Sequence, residues 1–472
     1  MRSFSFDTDL THSDEGFYLL QGAAWLNGAP PYTAIWDVKP PGLVGLFALF
    51  GLAGPPGVLT ARIGTYIAVV LAAVGLHRFA RRHLDGEATA WVASLLFPAY
   101  SIVLEGTATQ PELLLTPIVV FAMDIVAGWW TGRGDRSIRS CLLAGLLLGV
   151  AASIKQSTVC DLALAAIVAV GSLRQPRLIA PAMAVLAAGM PFLAFIGYEA
   201  ALGLGPEIYL TPVTGAVSRL GGYGTSLLGA VARMPFMMRS AMPLLAGPLA
   251  CLVERRRLAR GPDARAIGFV FLWLLAEIAA VIALRATYWH YLLTALAPMA
   301  LLTAVWMRIV VARLDRHRKS VLAGLVAVFV IYPAGFLVFA DIPIMRHASF
   351  GLAVADRLRS LGMAKGDTLY VADRDPVIYL LTGATLPTRY VFPQHLLCSF
   401  PLPEDGDAEI RRIMAGRPRF VVISAGRPKM VVCDWRTDRV ALIDDALARN
   451  YRLAGTVDTG EEPAEIYRRI AD

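Results

Sequence analysis

Residues 12–42 combine acidic, basic and aromatic side chains in one short stretch, HSDEGFYLLQGAAWLNGAPPYTAIWDVKPPG. Asp14 and Glu15 are adjacent near its start, and Asp37 and Lys39 stand near its end. Carboxylates suit proton abstraction or metal binding, whereas a lysine suits a phosphate group. The stretch therefore carries residue types for chemistry on a phosphate-bearing ligand.

The rest of the chain is mostly apolar. Of its 472 residues, 56% are hydrophobic and 17% are charged, with a mean hydropathy of +0.57. These values lie outside the range of a soluble globular domain and indicate an integral membrane protein. The formal net charge of +8 does not indicate nucleic-acid binding, because the basic residues fall in short loops between apolar runs.

About ten apolar windows approach the roughly 20 residues that a helix needs to cross a bilayer. They are 58–79, 88–104, 111–130, 140–155, 157–173, 177–198, 238–253, 266–284, 291–310 and 320–340. The arginine-rich loops between them are predicted to be cytoplasmic by the positive-inside tendency. We therefore predict a polytopic α-helical membrane protein with residues 1–57, the loop 199–237 and the chain after 341 on the external side.

The pattern predicts three regions: an external loop with interfacial helices at 1–57, a transmembrane helical domain at 58–341, and an external α/β domain at 342–472. Within the last, DTLYVAD and RFVVIS have the pattern of strands, and FGLAVADRLRSLG and DRVALIDDALARN that of amphipathic helices. Cys398 and Cys433 fall in this external domain and are a candidate disulfide pair.

No apolar segment or signal peptide precedes the opening stretch to carry it across the membrane. Two explanations stay open: a first transmembrane helix is missing from this chain, or the following helix translocates the short tail. We expect the missing helix.

Polar residues from several stretches are predicted to gather at the external membrane edge. Besides the four already named, they are Glu105, Gln110, Glu112, Arg285, Tyr288, His290 and Tyr291. Ionisable groups there cost free energy unless water, a partner or a ligand satisfies them, so their convergence indicates a site. Lys155 and Asp161 are expected to neutralise each other, and Glu277 has no evident partner.

The sequence resembles a known family. DEGFYLLQGAAWLNGAPPYTAIWDVKPPG is similar to the first external loop of GT-C glycosyltransferases of the protein O-mannosyltransferase and lipid A aminoarabinose transferase type. LLAGLLLGVAASIKQSTV and RATYWHYLLTALAP resemble the family's glycine-spaced helix ending in lysine and its His-Tyr segment. DTLYVADRDPVIYLLTGATLPTRY resembles the external domain of bacterial members.

The resemblance implies the GT-C fold and transfer of a hexose or pentose, with inversion, from a polyprenyl-phosphate donor to a hydroxyl of a lipid, a glycan or a protein. It places this reaction on the periplasmic face of a bacterial inner membrane. No cofactor is required, and whether a divalent metal takes part is undetermined.

The resemblance also assigns roles to residues. Asp14 matches the catalytic base, Glu15 would orient the loop or the acceptor, and Lys39 matches the lysine at the donor phosphate. Further donor-phosphate contacts are Arg285, Tyr288 and His290, and auxiliary acids are Glu112, with Gln110 as the alternative register, and Asp37.

Structural alternatives exist for each assignment. Asp14 and Glu15 could cap a helix, Lys39 could anchor the chain at the interface beside Trp36, and TYWHY could belong to an aromatic belt. A polyprenyl-linked transporter or flippase, a ligase or polymerase of envelope polysaccharide, and a scaffold are the competing functions. A transporter should show internal repeats and midplane polar residues, whereas here the polar residues gather at one face.

We expect a cysteine introduced at Gly28 to react with a membrane-impermeant thiol reagent from the external side. The expectation follows because loop charge places the opening stretch outside. Labelling of intact cells or right-side-out vesicles measures it. Reactivity only from the cytoplasmic side would overturn the predicted arrangement.

Overall fold

The computed structural model describes most of the chain. The described residues are 13–54, 57–172, 179–222, 226–285, 288–313, 318–341, 350–400, 402–426, 435–458 and 463–470. They form two compact units: one holds the described residues of Ile63–Tyr198 and Thr225–Asp341, and the other those of Phe4–Arg62, Glu199–Gly224 and Ile342–Asp472. The second unit therefore joins the opening stretch to a middle segment and the C-terminal region.

Helices make up most of the described chain. In order they are α1 (Ser13–Leu26), α2 (Pro41–Gly51), α3 (Val58–His83), α4 (Glu87–Tyr100), α5 (Pro111–Thr131), α6 (Ile138–Ile154), α7 (Val159–Ser172), α8 (Ile179–Ala201), α9 (Pro206–Tyr209), α10 (Thr211–Gly222), α11 (Leu227–Met237), α12 (Met242–Val253), α13 (Arg255–Leu258), α14 (Ala264–Ala283), α15 (Leu296–Ala312), α16 (Arg318–Phe336), α17 (Phe350–Ser360), α18 (Val377–Thr382), α19 (Pro393–Leu397), α20 (Gly406–Ala415) and α21 (Thr437–Asn450). Short 3₁₀ segments lie at Gln156–Thr158, Arg239–Ala241 and Trp289–Leu292.

Each apolar window predicted as a membrane crossing is occupied by a helix. Within the described residues, five helices are long and apolar enough to span a membrane alone, namely α3, α5, α8, α14 and α16. The helix α11 and the segment Arg239–Val253 meet at a bend of 43° and together pass the same test. The other windows hold shorter helices, and the predicted polytopic helical membrane fold is confirmed.

Helix α5 shows how local sequence sets these boundaries. Pro111 occupies its first position, where the missing backbone N–H costs nothing. Gly132 ends the helix in the left-handed conformation, with φ of +77°. The long, apolar run between these signals then spans the bilayer thickness.

Helices α6 and α8 of the first unit pack closely through small residues. A Cβ atom at Gly145 or Gly149 would overlap the carbonyl oxygens of Ala184 and Ala188, respectively. The four-residue spacing on both helices lets the two backbones approach, as small residues do in membrane helix pairs. The glycine-spaced helix of the sequence therefore serves helix packing.

Substituting Gly149 with valine should destabilise the protein, because the added side chain has no space against Ala188. Overpacking of this kind costs about 1–3 kcal/mol. A Cβ atom added at Gly189 on α8 would meet no other atom within 4 Å, so Gly189→Val is the matched control. Thermal unfolding in detergent measures both variants, and equal midpoints would contradict the close packing.

A four-stranded sheet lies in the second unit. Its strands are β1 (Leu369–Val371), β2 (Phe420–Ser424), β3 (Tyr451–Val457) and β4 (Ala464–Arg469), in the order β1-β2-β4-β3. Strands β1 and β2 are parallel, with Leu369 opposite Phe420, whereas β4 is antiparallel to both of its neighbours. The predicted α/β composition of the C-terminal region is thus confirmed, including the two strands and two helices read from the sequence, while the bounds of the predicted domain stay a prediction.

The opening stretch contributes to the core of this same unit. Trp36 is 2% exposed and packs its ring against those of Tyr390, His395 and Phe400. Its backbone N–H donates to the carbonyl of Arg389 at 2.9 Å. Burying an indole of this size is a large apolar contribution. The loop before Lys39 is therefore held by the α/β core.

Candidate functional site

Asp14 and Glu15 lie in the first turn of α1, where the helix dipole favours negative charge. Asp14 is half-buried, whereas Glu15 is fully buried. Arg62 of α3 donates from Nη2 to Glu15 Oε2 at 3.0 Å and from Nε to Glu15 Oε1 at 3.3 Å. This two-point ion pair joins the start of α1 to the start of α3.

Asp37 is also buried, and its carboxylate accepts two hydrogen bonds that stabilise the conformation of the loop. Its Oδ1 accepts from the backbone N–H of Val38 at 2.7 Å, and its Oδ2 accepts from Gln21 Nε2 at 3.4 Å. Lys39 is half-buried, with its ammonium 5.7 Å from the centre of the Tyr18 ring. The face of an aromatic ring attracts a cation electrostatically.

Tyr32 supports the backbone of Lys39. Its hydroxyl donates to the Lys39 carbonyl at 2.7 Å, and its own φ is +66°, which is uncommon for a residue with a side chain. Burial, with the nearby carboxylates of Asp37 and Glu199, raises the pKa of Tyr32 well above its ordinary value. The phenol therefore stays protonated and keeps this hydrogen bond at any physiological pH.

The first unit holds the remaining predicted residues. Glu112, at the start of α5, forms a buried ion pair with Lys155, and the Lys155 ammonium lies 3.5 Å from the centre of the Tyr291 ring. The expected pairing of Lys155 with Asp161 is wrong. Lys155 has extended backbone between α6 and the following 3₁₀ turn, so it and Asp161 do not share a continuous helix.

Asp161 instead hydrogen-bonds with Glu277, both of them buried between α7 and α14. The indole of Trp273 donates to Glu277 Oε1 at 3.1 Å. Glu277 therefore has partners that its mid-helix position did not indicate.

His290 is buried in the 3₁₀ segment Trp289–Leu292, and its Nδ1 lies 2.7 Å from Glu105 Oε2. The ring of Tyr288 stacks on that of His290, with centres 5.6 Å apart. Arg285 is half-buried and has a φ of +53°. The predicted donor-phosphate residues thus divide: these three belong to the first unit and Lys39 to the second.

The predictions on metal and disulfide stay predictions. In the described ranges, no group of three or more His, Cys, Asp or Glu side chains is arranged to hold a metal ion. Cys398 is buried and disulfide-bonded. Cys433 lies outside the described residues, so its pairing with Cys398 is untested.

The fold resembles solved membrane proteins along almost its whole length. ArnT from Cupriavidus metallidurans bound to undecaprenyl phosphate superposes with a TM-score of 0.65 at 13% identity, over 99% of this chain and 96% of that one. AglB from Archaeoglobus fulgidus, an archaeal oligosaccharyltransferase in complex with an inhibitory peptide and a dolichol-phosphate, matches over 87% of this chain and 65% of its own, with a TM-score of 0.50 at 13% identity.

The arabinofuranosyltransferase AftD from Mycobacteria has a TM-score of 0.50 at 15% identity, over 94% of this chain and 36% of its own. No protein-family model and no curated protein matches the sequence. The fold is that of the GT-C glycosyltransferases. The resemblance inferred from sequence motifs is confirmed at the level of the fold.

Within this GT-C fold, sequence reasoning missed the partners of its acidic residues. Arg62 and Lys155 neutralise Glu15 and Glu112, and each lies in or beside an apolar window. A lone charge in such a window indicates a buried partner or a ligand. Arg62, within VLTARIGTY, is such a charge, but the spacing of residues in the sequence does not identify the carboxylate with which it pairs.

We expect Arg62→Met to destabilise the protein strongly, because it removes the cation that pairs with the buried Glu15 carboxylate. Removing one partner of a buried pair costs about 3–5 kcal/mol, and replacing both recovers much of that. The double variant Glu15→Gln/Arg62→Met should therefore be more stable than the single one.

The matched control is Arg81→Met on the same helix, whose pair with Glu87 is exposed on both sides. Exposed pairs contribute about 0–1 kcal/mol. Unfolding by denaturant in detergent micelles compares the three variants. Equal stability of Arg62→Met and Arg81→Met would contradict the anchoring role of the pair.

Proposed function

We propose that this protein is an inverting glycosyltransferase that moves a sugar from a polyprenyl-phosphate donor to a hydroxyl acceptor. Its site faces the periplasm of a bacterial inner membrane. The acceptor is a lipid-linked or envelope glycan, a lipid or a protein hydroxyl, with a lipid-linked or envelope glycan as the first expectation.

The observation that carries the proposal is the likeness over 99% of the chain to ArnT bound to undecaprenyl phosphate. Sequence motifs support it independently, because the opening stretch resembles the first external loop of the same kind of enzyme. The fold and the loop motif are separate lines of support, since identity to ArnT is only 13%.

The loop chemistry fits inverting transfer. A base must take the acceptor proton while the phosphate leaves, and cations must stabilise the charge that develops on the phosphate. Asp14 is the proposed base: it is half-buried at a helix N-terminus, next to a carboxylate already neutralised by Arg62. Lys39 is the proposed cation at the leaving phosphate.

Glu15 then acts as a positioning residue. Both of its oxygens are occupied by Arg62, so it fixes the helix that carries Asp14. In the first unit, Glu112 pairs with Lys155 and His290 contacts Glu105. Arg285, Tyr288 and His290 are the proposed further contacts to the donor phosphate.

We expect Asp14→Asn to lower kcat by roughly 10²–10⁴-fold, the contribution typical of a general base. Lys39→Ala should weaken donor use, with a higher KM for the polyprenyl phosphate sugar and a lower kcat, because the leaving phosphate loses a cation. The assay follows sugar transfer from synthetic polyprenyl-phosphate hexoses and pentoses to an envelope lipid and glycan fraction, with purified protein in proteoliposomes.

Asp445→Asn and Lys365→Ala serve as controls, because both side chains are exposed in the C-terminal region. Turnover of a folded Asp14→Asn protein at the wild-type rate would remove Asp14 as the base. Absence of transfer by the wild-type protein from every donor tested would count against the proposed function itself.

A further inference from the structure

Arginines from neighbouring strands of the C-terminal sheet share one face. Arg452 of β3 and Arg468 of β4 stand directly opposite each other, so their side chains point to the same face. The Arg468 guanidinium carbon lies 6.0 Å from the centre of the Phe420 ring on β2. That of Arg419, which precedes β2, lies 5.6 Å from the centre of the same ring. The three cations therefore lie side by side at one end of the sheet.

Helix α17 adds a further arginine to this face. A Cβ atom added at Gly455 of β3 would lie 2.8 Å from Arg357 Nε, so the guanidinium of Arg357 covers the strand backbone there. Arg468 also donates from Nη1 to the carbonyl of Leu361, just after α17, at 3.5 Å. Arg357 and Arg452 are exposed, whereas Arg419 and Arg468 are half-buried. We call the set of Arg357, Arg419, Arg452 and Arg468 the basic face.

Most of the charge on the basic face has no acidic partner. Arg419 pairs with Asp367 at 2.5 Å. Arg357, Arg452 and Arg468 have no carboxylate partner in the part of the chain that the structure describes. Like charges directly opposite each other in an antiparallel pair are destabilising. The Arg452–Arg468 pair therefore costs stability, and such local conflicts are expected where a protein has a function to serve.

Acidic groups of the same sheet lie at its other end. Asp373 follows β1 and accepts from the backbone N–H of Ser424, the last residue of β2, at 2.9 Å. Arg468, by contrast, stands opposite Phe420, the first residue of β2. The sheet thus separates its charges along the strands, and the basic face presents a field of one sign.

An anion with several charges fits this arrangement. A guanidinium presents a planar fork of N–H donors that matches carboxylate or phosphate oxygens in a two-point contact. Neighbouring strands lie about 4.8 Å apart, so arginines on adjacent strands form a row. A row of this kind suits successive anionic groups of one chain that lies across the exposed face.

We propose that the basic face binds an anionic polysaccharide, whose sugars carry carboxylate or phosphate groups. The choice of a glycan rests on the proposed function, because the basic face belongs to the same compact unit as Asp14 and Lys39. Helix α1 lies at the acidic end of the sheet, where a Cβ atom added at Gly16 would be 2.9 Å from Asp375 Oδ1. The basic face is therefore apart from the proposed base and holds the polymer without reacting with it.

Binding is measured by calorimetric titration of the full chain, in neutral phosphatidylcholine nanodiscs, with oligogalacturonate, which carries a carboxylate on every sugar. Its methyl ester removes the charge from the same sugar chain, and polyglutamate of equal charge replaces the sugar chain with a peptide. We expect oligogalacturonate to bind more tightly than either, with an affinity that falls as salt is added.

Arg452→Gln should weaken the binding of oligogalacturonate by about two- to fivefold, the range of an exposed charge pair, and the double variant Arg452→Gln/Arg468→Gln by roughly tenfold. Arg452→Gln should also unfold at the same temperature as wild type or a higher one, because it relieves the like-charge pair. A merely structural role for Arg452 predicts a lower unfolding temperature. Since Arg452 is exposed, the single variant tests the site even if the double variant does not fold.

Arg449→Gln is the matched control. Arg449 is an exposed arginine of α21, the helix that packs against Tyr451. Tyr451 precedes Arg452 in β3, so its side chain points to the other face of the sheet.

Weaker binding of oligogalacturonate by Arg452→Gln, with unchanged binding by Arg449→Gln, supports the proposal. Equal binding of polyglutamate overturns the glycan as the partner, and equal binding of the methyl ester overturns the role of charge. If Arg452→Gln and the double variant bind as Arg449→Gln does, the basic face is not the site. No turnover is measured, so absence of binding leaves the transferase proposal standing, and absence of transfer by a protein that binds leaves the basic face standing.

Discussion

The fold at the candidate site depends on the buried ion pair between Glu15 and Arg62. A carboxylate with no solvent exposure requires a cation, and Arg62 meets it with two hydrogen bonds. This contact fixes the first turn of α1, and with it Asp14, against α3. At the other end of the loop, Trp36 is locked into the α/β core. The residues between the two anchors, which lead to Lys39, therefore have little freedom to move.

The same requirement organises the acidic groups of the first unit. Glu112 pairs with Lys155, and Glu105 contacts His290. The buried acids of α7 and α14, Asp161 and Glu277, hydrogen-bond with each other. Each of these contacts joins elements that are far apart in sequence, so together they hold the apolar helices in one arrangement. Pairing of this kind specifies geometry more than it adds stability, because desolvation offsets much of the attraction.

Apolar length and periodicity predicted most of the fold. The crossings, the helix after Pro40 and the strands β1 and β2 follow from continuous apolar runs. Strands β3 and β4 were not predicted, because YRLAGTV and AEIYRR carry exposed polar residues and show no continuous run. For the site, residue types indicated the candidate acids and cations, and the roles assigned to them stay predictions. Their partners depend on tertiary packing, so the partner expected for Lys155 was wrong.

A buried charge paired with a carboxylate serves structure, whereas a partly exposed charge packed over an aromatic ring lies where a ligand can reach it. Arg62 and Lys155 are buried on carboxylates, whereas Lys39 lies half-buried over the Tyr18 ring and Arg468 half-buried over the Phe420 ring. An aromatic face attracts a cation electrostatically and so restrains its position. Identical residue types therefore divide by environment into structural supports and candidate ligand contacts, a distinction that spacing in the sequence does not carry.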